Sequence, residues 1–516
     1  MIQTLKSYTA GKWFEAREGL IDLVNPTTEE IIARASSRGI DFAATLTYAR
    51  KRGGPALREL GFVRRGQLLG AMAKAIHAYR EELIELAIQN GGNTRSDAKF
   101  DIDGATATLS YYAKLAEGLG ERQFLSDGAS HQLGRTPRLM GRHVYAPLHG
   151  AAIHINAFNF PAWGFAEKAA VALLAGMPIV SKPATSTAMV AARVAEILVD
   201  ANVMPDGALS FICGGVGDLL QHVTWQDVVA FTGSAATGLK IRGHEDVLKS
   251  GTRVNIEADS LNAAVLGPDI TSDAPAYDLF VQEVAKDITQ KAGQKCTAIR
   301  RILVPHEQLD EARGDLCEAV AAVKYGNPAS KEVRMGPLAT ADQLRNVRAD
   351  YENLSRVAKP VYGDAGRGKP LDIHDERGFF MTPTLLQADN AEADVVHQRE
   401  VFGPVATLIP YDGSSESAAH IIRLGGGSLV SSIYSDDADF CQRLMEYASC
   451  ALGRIHLGAS KVAEHSPGPG TVLPMMSHGG PGRAGGGEEL GAERGMALYM
   501  QRTAVQGYGP WLEKLA

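Results

Sequence analysis

Apolar residues recur at helical spacing through residues 63–90 (Leu68, Leu69, Met72, Ile76, Tyr79, Leu83 and Leu86), with polar residues between them, which predicts helix there. A second helical stretch covers 101–118. Downstream the pattern changes to short apolar runs that alternate with helical ones. HGAAIHIN (149–156), 178–181, 208–213 and 228–231 read as strands, and 165–175 and 187–201 as helices. A second set of β-rich runs follows residue 257, at 263–266, 299–305 and 405–410. Strand–helix–strand alternation implies parallel sheets with helices on their faces, joined by right-handed crossovers. The fold class expected is therefore α/β, in two units joined around residue 255.

Two segments depart from that alternation. RTPRLMGRHVY (135–145) reads as a hairpin projecting from the body, and ALYMQRTAVQGYG near the C-terminus is strand-like. Isolated strands need neighbours, so the two are expected to pair with each other, and with a second subunit. The Gly/Pro-rich stretch 466–487 is the longest irregular segment, and a long loop in a compact enzyme is often functional.

Composition narrows the setting more than the chemistry. At 516 residues the chain should divide into two or three packed units. A hydrophobic content of 45% with 22% charged residues is that of a soluble globular protein, and a net charge of -7 argues against a nucleic-acid or anionic-membrane partner. The longest apolar run, 169–180, contains Gly176 and Pro178 and is too short to span a bilayer, so no membrane association is expected. The five cysteines form no CxxC pair, so no metal site is expected, and free thiols fit a reducing, cytoplasmic compartment.

Among them Cys296 stands apart. A lone cysteine is more often a small buried hydrophobe than a nucleophile, yet KAGQKCTAIRR surrounds this one with Lys295, Arg300 and Arg301. Cationic flanks would lower the thiol pKa and favour the reactive thiolate. The other four lie in apolar or helical contexts and read as structural.

ITQKAGQKCTA (288–298) resembles the FxxxGQxCxA signature of the aldehyde dehydrogenase superfamily. NAFNFPAWG (156–164), SKPATSTA (181–188), FTGSAATG (231–238), REVFGPV (399–405) and HGGPGRAGGGEELG (478–491) are similar to that family's PWNFP, KPxxxT, FTGSxxxG, EEIFGPV and FGGxKxSGxGRELG stretches, in the family's order. Weaker echoes occur at 25–30, 204–215 and 381–386. The resemblance covers essentially the whole chain. It implies a Rossmann-like parallel-sheet cofactor domain (1–130 and 150–256), a second α/β catalytic domain (257–480) and a small β oligomerisation extension (131–149 and 481–516), in a homodimer or a dimer of dimers.

The resemblance also implies roles. Cys296 would attack the aldehyde carbon, and Asn159, with the cysteine's own backbone N–H, would stabilise the oxyanion. Glu257 in RVNIEADSLNA would be the general base that activates the hydrolytic water; alone, a glutamate at a strand end is usually a solvated carboxylate. Here Ala258 and Asp259 replace the glycines that follow the base in the family, so the turn and its charge differ. For the cofactor, Phe158, Lys182, Gly214, Gly233, Ser234, Glu400 and Phe402 occupy matching positions, with Gly233 and Ser234 opening a helix toward a pyrophosphate. Thr185 stands where NAD-preferring relatives carry a ribose-binding glutamate; a hydroxyl beside Lys182 would accept a 2′-phosphate, so NADP is the cofactor expected.

IEADSLNA and GQKCTAIRR are similar to the dehydrogenase part of bacterial proteins that oxidise CoA-carried ring-cleavage semialdehydes. This implies a CoA-linked aldehyde substrate of the 3,4-dehydroadipyl-CoA semialdehyde type, with Arg300, Arg301, Lys461 or Arg483 available for a basic entrance. Two alternatives stay open: a CoA-acylating dehydrogenase, which usually lacks the base glutamate, and a non-catalytic binding protein on the same fold.

Overall fold

The computed structural model describes residues 2–514. Its architecture is α/β, and the described residues form two seven-stranded sheets, two three-stranded sheets and a two-stranded one. The first large sheet runs Arg253–Glu257, Val228–Thr232, Ala152–Ile155, Ile179–Lys182, Leu209–Phe211, Ser7–Thr9, Lys12–Phe14. Its first five strands are parallel and the last two antiparallel. These central strands are buried throughout, which is why they read as continuous apolar runs and not as alternating ones.

The chain order of those five strands reverses between Ala152–Ile155 and Val228–Thr232, which lie side by side with Phe231 opposite Ile155. Thr232 lies opposite Glu257, and Ile155 opposite Lys182, so the carboxyl ends of four strands open onto one crevice. In open α/β sheets that crevice is where ligands bind.

The second sheet runs Ala358–Tyr362, Thr384–Ala388, Val405–Tyr411, Ile299–Pro305, Asn262–Leu266, Ser428–Tyr434, Leu452–Leu457, parallel except for the first strand. An interior strand of this sheet, Asn262–Leu266, begins five residues after Glu257 ends the edge strand of the first sheet. The two sheets therefore meet at the segment that carries the expected base.

The segments read as a projecting hairpin and a C-terminal strand do pair, from Met500 opposite Pro147 to Tyr508 opposite Leu139. The hairpin begins earlier than the sequence indicates, because Leu125–Gln132 forms its other arm. The helical stretch at 63–90 is two helices, Phe62–Ala78 and Arg80–Gly91, which break at Tyr79 (φ -108°, ψ 19°), where Glu81 and Glu82 open the second against its dipole. The helix read at 101–118 extends to Arg95–Leu119. Asp101, buried on that helix, accepts from the Ala162 and Trp163 amides (3.2 and 2.8 Å) and so fixes the start of helix Trp163–Ala175. Among the described residues no helix is long and apolar enough to cross a membrane, and the five cysteines are all free thiols.

Candidate active site

Cys296 sits on a loop whose shape the sequence did not announce. Lys291, Ala292 and Gly293 are all left-handed (φ 53°, 52° and 68°), a conformation uncommon for side-chain-bearing residues. At Gly293 a Cβ would collide with the Gly403 carbonyl, so the glycine is required there. Two side chains lock the loop from outside. Arg300 donates to the carbonyls of Gly293 (2.8 Å), Lys295 (3.2 Å) and Gly403 (2.8 Å), and Asn262 Nδ2 donates to the Cys296 carbonyl (2.8 Å). Asn159, buried at the turn before helix Trp163–Ala175, gives one amide N–H to the Gln294 carbonyl at 3.0 Å. Its side chain is thereby held against the cysteine loop, where its other N–H is available to a developing oxyanion.

Of the three cations flanking Cys296 in sequence, only Arg300 acts on the sulfur, and it does not offset the burial of the thiol. Lys295 is paired with Asp287 at 2.5 Å, and Arg301 is buried against the carbonyls of Leu261, Ile421 and Ile422. Burial and the facing Glu257 carboxylate instead push the thiol well above its ordinary range. The expectation that local cations lower the thiol pKa is therefore corrected: burial and the facing carboxylate act in the opposite direction. Arg300 and Arg301, both buried, cannot contribute to a basic entrance either.

Glu257 is the last residue of strand Arg253–Glu257 and is 2% exposed. Burial opposes its ionisation, but the His478 and Lys168 cations outweigh it and hold the carboxyl well below its usual range. Behind it lies a buried acid–base chain. Lys168 Nζ contacts Glu489 at 3.0 Å and Glu167 at 3.3 Å and donates to Thr232 Oγ1 at 2.7 Å. The carboxyl oxygens of Glu167, Glu257 and Glu489 lie within 4.8 Å of one another, and burial pushes the Glu167 carboxyl up.

Cys296, Glu257 and Asn159 line two cavities at once. One, of about 510 Å³, occupies the crevice at the strand ends. Phe158, Lys182, Gly233, Ser234, Glu400 and Phe402 line it, so the structure brings these six expected cofactor residues together with the three expected catalytic ones. Phe402 packs edge-on to Phe158, and Glu400 accepts from the Ser260 amide, its carboxyl pushed up to about 7 by burial. The second cavity is a channel of about 40 Å³ lined by Phe100, Phe160, Trp163, Val472 and Gly470 together with His478 and Glu167. Gly470, Val472 and His478 come from the irregular Gly/Pro-rich stretch.

Thr185 and Gly214 do not line the crevice. The Thr185 hydroxyl donates to the Gly214 carbonyl at 3.1 Å, and Gly214 (φ 119°) packs against Ser36 and Ser37. The hydroxyl expected to meet a 2′-phosphate is already engaged; what remains for that role is Lys182, whose Nζ donates to the Pro183 carbonyl at 3.0 Å. No carboxylate among the described residues pairs with it, and burial brings it down to about 8. Asp259, where the family has glycine, accepts from the Ala235 amide at 2.9 Å and caps the helix Ala235–Arg242. The crevice otherwise fits a dinucleotide in size, in its place at the strand ends, and in its free buried cation.

His478, Glu167, Lys168 and Glu489 were missed in the sequence. His478 and Glu489 left signals, His478 as the first letter of HGG where the family pattern has FGG and Glu489 at the glutamate of that pattern's RELG; Glu167 and Lys168 are ordinary helix charges until the fold gathers them.

A thiol with an adjacent base, between a dinucleotide-sized crevice and a narrow channel, defines an oxidoreductase that works on a carbonyl carbon. The Aldehyde dehydrogenase family model matches residues 13–505, and the chain belongs to that family. It is 43% identical over 478 residues (92% of this chain, 93% of the relative) to a 3,4-dehydroadipyl-CoA semialdehyde dehydrogenase from Aromatoleum evansii. It is 28% identical, over 95% of this chain and 94% of the relative, to the betaine aldehyde dehydrogenase of Bacillus subtilis. Among solved structures, a betaine aldehyde dehydrogenase from Staphylococcus aureus in complex with NAD+ shares the fold with a TM-score of 0.85 at 23% identity, covering 98% of this chain and 97% of that one.

Proposed function

We propose that this enzyme oxidises an aldehyde to the carboxylic acid with NADP as cofactor, and that its substrate is a CoA-linked semialdehyde of aromatic degradation such as 3,4-dehydroadipyl-CoA semialdehyde. The observation that carries the reading is the position of Cys296 at the junction of the crevice and the channel, within reach of both reaction partners.

Cys296 is the nucleophile. As its sulfur bonds to the carbonyl carbon, the thiol proton passes to the facing Glu257 carboxylate, and the oxygen takes up negative charge beside the free Asn159 N–H. The nicotinamide, when bound, supplies the hydride acceptor. Phe158, Phe402 and Glu400 hold its end of the crevice, Gly233 and Ser234 the middle, and Lys182 the far end. Glu257 then serves as base for water: the water oxygen bonds to the thioester carbon, its proton goes to the carboxylate, and the carbon–sulfur bond breaks. Glu167, with a carboxyl oxygen within 4.8 Å of one from Glu257 and its carboxyl pushed up to about 7, takes the proton from Glu257 between the two steps, while Lys168, held charged by the surrounding carboxylates, steadies them. A base beside the sulfur favours water over CoA as the acyl acceptor.

The narrow aromatic channel supports a substrate that presents its aldehyde on a slender chain while a bulky CoA handle stays outside. The 43% identical relative supports the same class. For NADP, the support is the buried, carboxylate-free Lys182, with Thr185 where a repelling glutamate would stand. The paired strands Leu139–Pro147 and Met500–Tyr508 and the helix Gly509–Lys514 leave Leu139, Tyr508 and Trp511 exposed (48%, 48% and 69%), apolar surface suited to a homodimer in a reducing cytoplasm.

The test is reduced-cofactor formation with NADP or NAD, without free CoA, across aliphatic, aromatic and CoA-linked semialdehydes. Turnover with NADP and the CoA-linked compound is expected. Activity only with small free aldehydes removes the CoA reading, and activity only after free CoA is added replaces hydrolysis by acyl transfer.

A further inference from the structure

His478 lies where it can control the base. It sits on the short strand Ser477–Gly479, directly opposite Glu489 in an antiparallel pair. The loop that follows is stitched to the strand of Glu257: the Ala258 amide donates to the Ala484 carbonyl at 3.0 Å and the Gly487 amide to the Ile256 carbonyl at 3.1 Å. At both Gly485 and Gly487 an added Cβ would meet the Ile256 carbonyl, so the two segments lie as close as backbone allows. Imidazole and carboxylate are thus registered by main-chain bonds and not by flexible side chains.

The side chains are 4% and 2% exposed, and His478 Nε2 lies 3.3 Å from Glu257 Oε2. That is ion-pair distance without an aligned hydrogen bond, and Oε2 has no donor of its own. A buried carboxylate oxygen with no donor costs about 1–3 kcal/mol or more unless a charge compensates it. The arrangement offers that compensation while leaving the oxygen's lone pair open, which is what a base awaiting a water proton needs. A ring nitrogen of His478, a carboxylate oxygen of Glu257 and the Cys296 sulfur all lie within 4.8 Å of one another, so the imidazole also borders the reacting atoms.

We propose that His478 is a positioning residue for the hydrolytic step: its imidazolium steadies the ionised Glu257 carboxylate toward the Cys296 acyl group while leaving Oε2 free to take the water proton. The inference rests on the hydrolytic role of Glu257 given above. The charged groups around His478 are consistent with a cation there. Glu257 faces it from its strand and Glu167 from helix Trp163–Ala175, opposed by Arg454 from strand Leu452–Leu457, while Lys168 lines the same cavity. Arg454 is itself tied to the carbonyls of Thr471 and Pro469 (2.8 and 2.7 Å). Burial opposes protonation of the imidazole, but the carboxylates raise its pKa above the ordinary histidine value.

The consequence has a definite sign. An imidazolium beside Glu257 lowers the pH at which that carboxyl ionises, so removing it moves the acid limb of turnover to higher pH. The experiment compares wild type, His478→Gln and His478→Phe by rapid mixing with a saturating aldehyde and by steady-state kcat against pH. Both variants are expected to keep the first-turnover burst of reduced cofactor. Steady-state kcat should fall about ten-fold in His478→Gln and further in His478→Phe, and the acid limb should move up in both. In a Glu257→Gln background neither substitution should lower kcat further, because residues acting as a unit are not additive. His478→Gln keeps the size and polarity of the site, so it decides the matter if His478→Phe does not fold. An unmoved acid limb in His478→Gln, or losses that multiply with Glu257→Gln, overturns the proposal alone. A wild type without a burst, or Glu257→Gln that hydrolyses normally, overturns the parent reading as well.

Discussion

The two cavities that meet at Cys296 are built on different principles. The crevice is framed by strand ends: Ile155, Lys182, Thr232 and Glu257 stand in register across four parallel strands, and their backbone places the side chains. The channel has no such frame. Its walls are Phe100 from one helix, Trp163 from another, Phe160 from a turn, and Val472 and Gly470 from an irregular loop. A sheet edge serves any ligand with a constant part, such as a dinucleotide. A wall assembled from helix faces and a loop can change shape without disturbing the sheet, which suits the part of the reaction that selects the aldehyde.

This contrast is broken or sharpened by substitutions on either side of the sulfur. The largest effect belongs to Cys296→Ala, expected to lower kcat by at least ~10³-fold because both half-reactions pass through the thioester. Cofactor binding, followed by fluorescence titration, should be unchanged, since the crevice does not depend on the sulfur. Asn159→Ala should lower kcat by ~10²–10³-fold and remove the burst. A burst of normal rate would show that the oxyanion is held by the backbone alone.

Lys182→Ala tests the far end of the crevice. KM for NADP should rise about 10–100-fold with little change for NAD, as for loss of one charged hydrogen bond. The pH dependence follows from its lowered pKa. In the free enzyme the ammonium charge is complete well below about 8 and is lost as pH rises through that value, so NADP affinity should fall across that interval in wild type and stay flat in the variant. The smallest effect is expected from Val472→Phe, which narrows the channel. KM for the aldehyde should rise about ten-fold with the cofactor KM unmoved. A matching change in both constants would mean that the cavities are coupled and not independent.

The contrast also governs what could be read in advance. Strands 152–155, 179–182, 228–232 and 299–305 were legible because they are buried and apolar, and the turns at their ends carry motif residues in a fixed order. Six of the expected cofactor residues line one cavity for that reason. Thr185 was misread because its neighbour across the turn, the Gly214 carbonyl, lies 29 positions away and takes its hydroxyl. The flanking cations of Cys296 were misread in the same way. Adjacency in sequence put charge beside the sulfur, whereas the left-handed turn at Lys291–Gly293 and the partners Asp287 and Leu261 aim those side chains elsewhere.

By itself, then, the sequence determined the α/β alternation and the two-sheet organisation, because both follow from periodicity, while motif positions within short windows singled out Cys296 and Glu257 as the proposed nucleophile and base. The tertiary structure alone decided the ionisation of the thiol, the acid–base chain of Glu167, Lys168 and Glu489, and the pairing of His478 with Glu257. Those properties arise from burial and from Coulomb interactions between groups as much as 322 positions apart in the chain, such as Glu167 and Glu489, and no local pattern of residues encodes a distance in space.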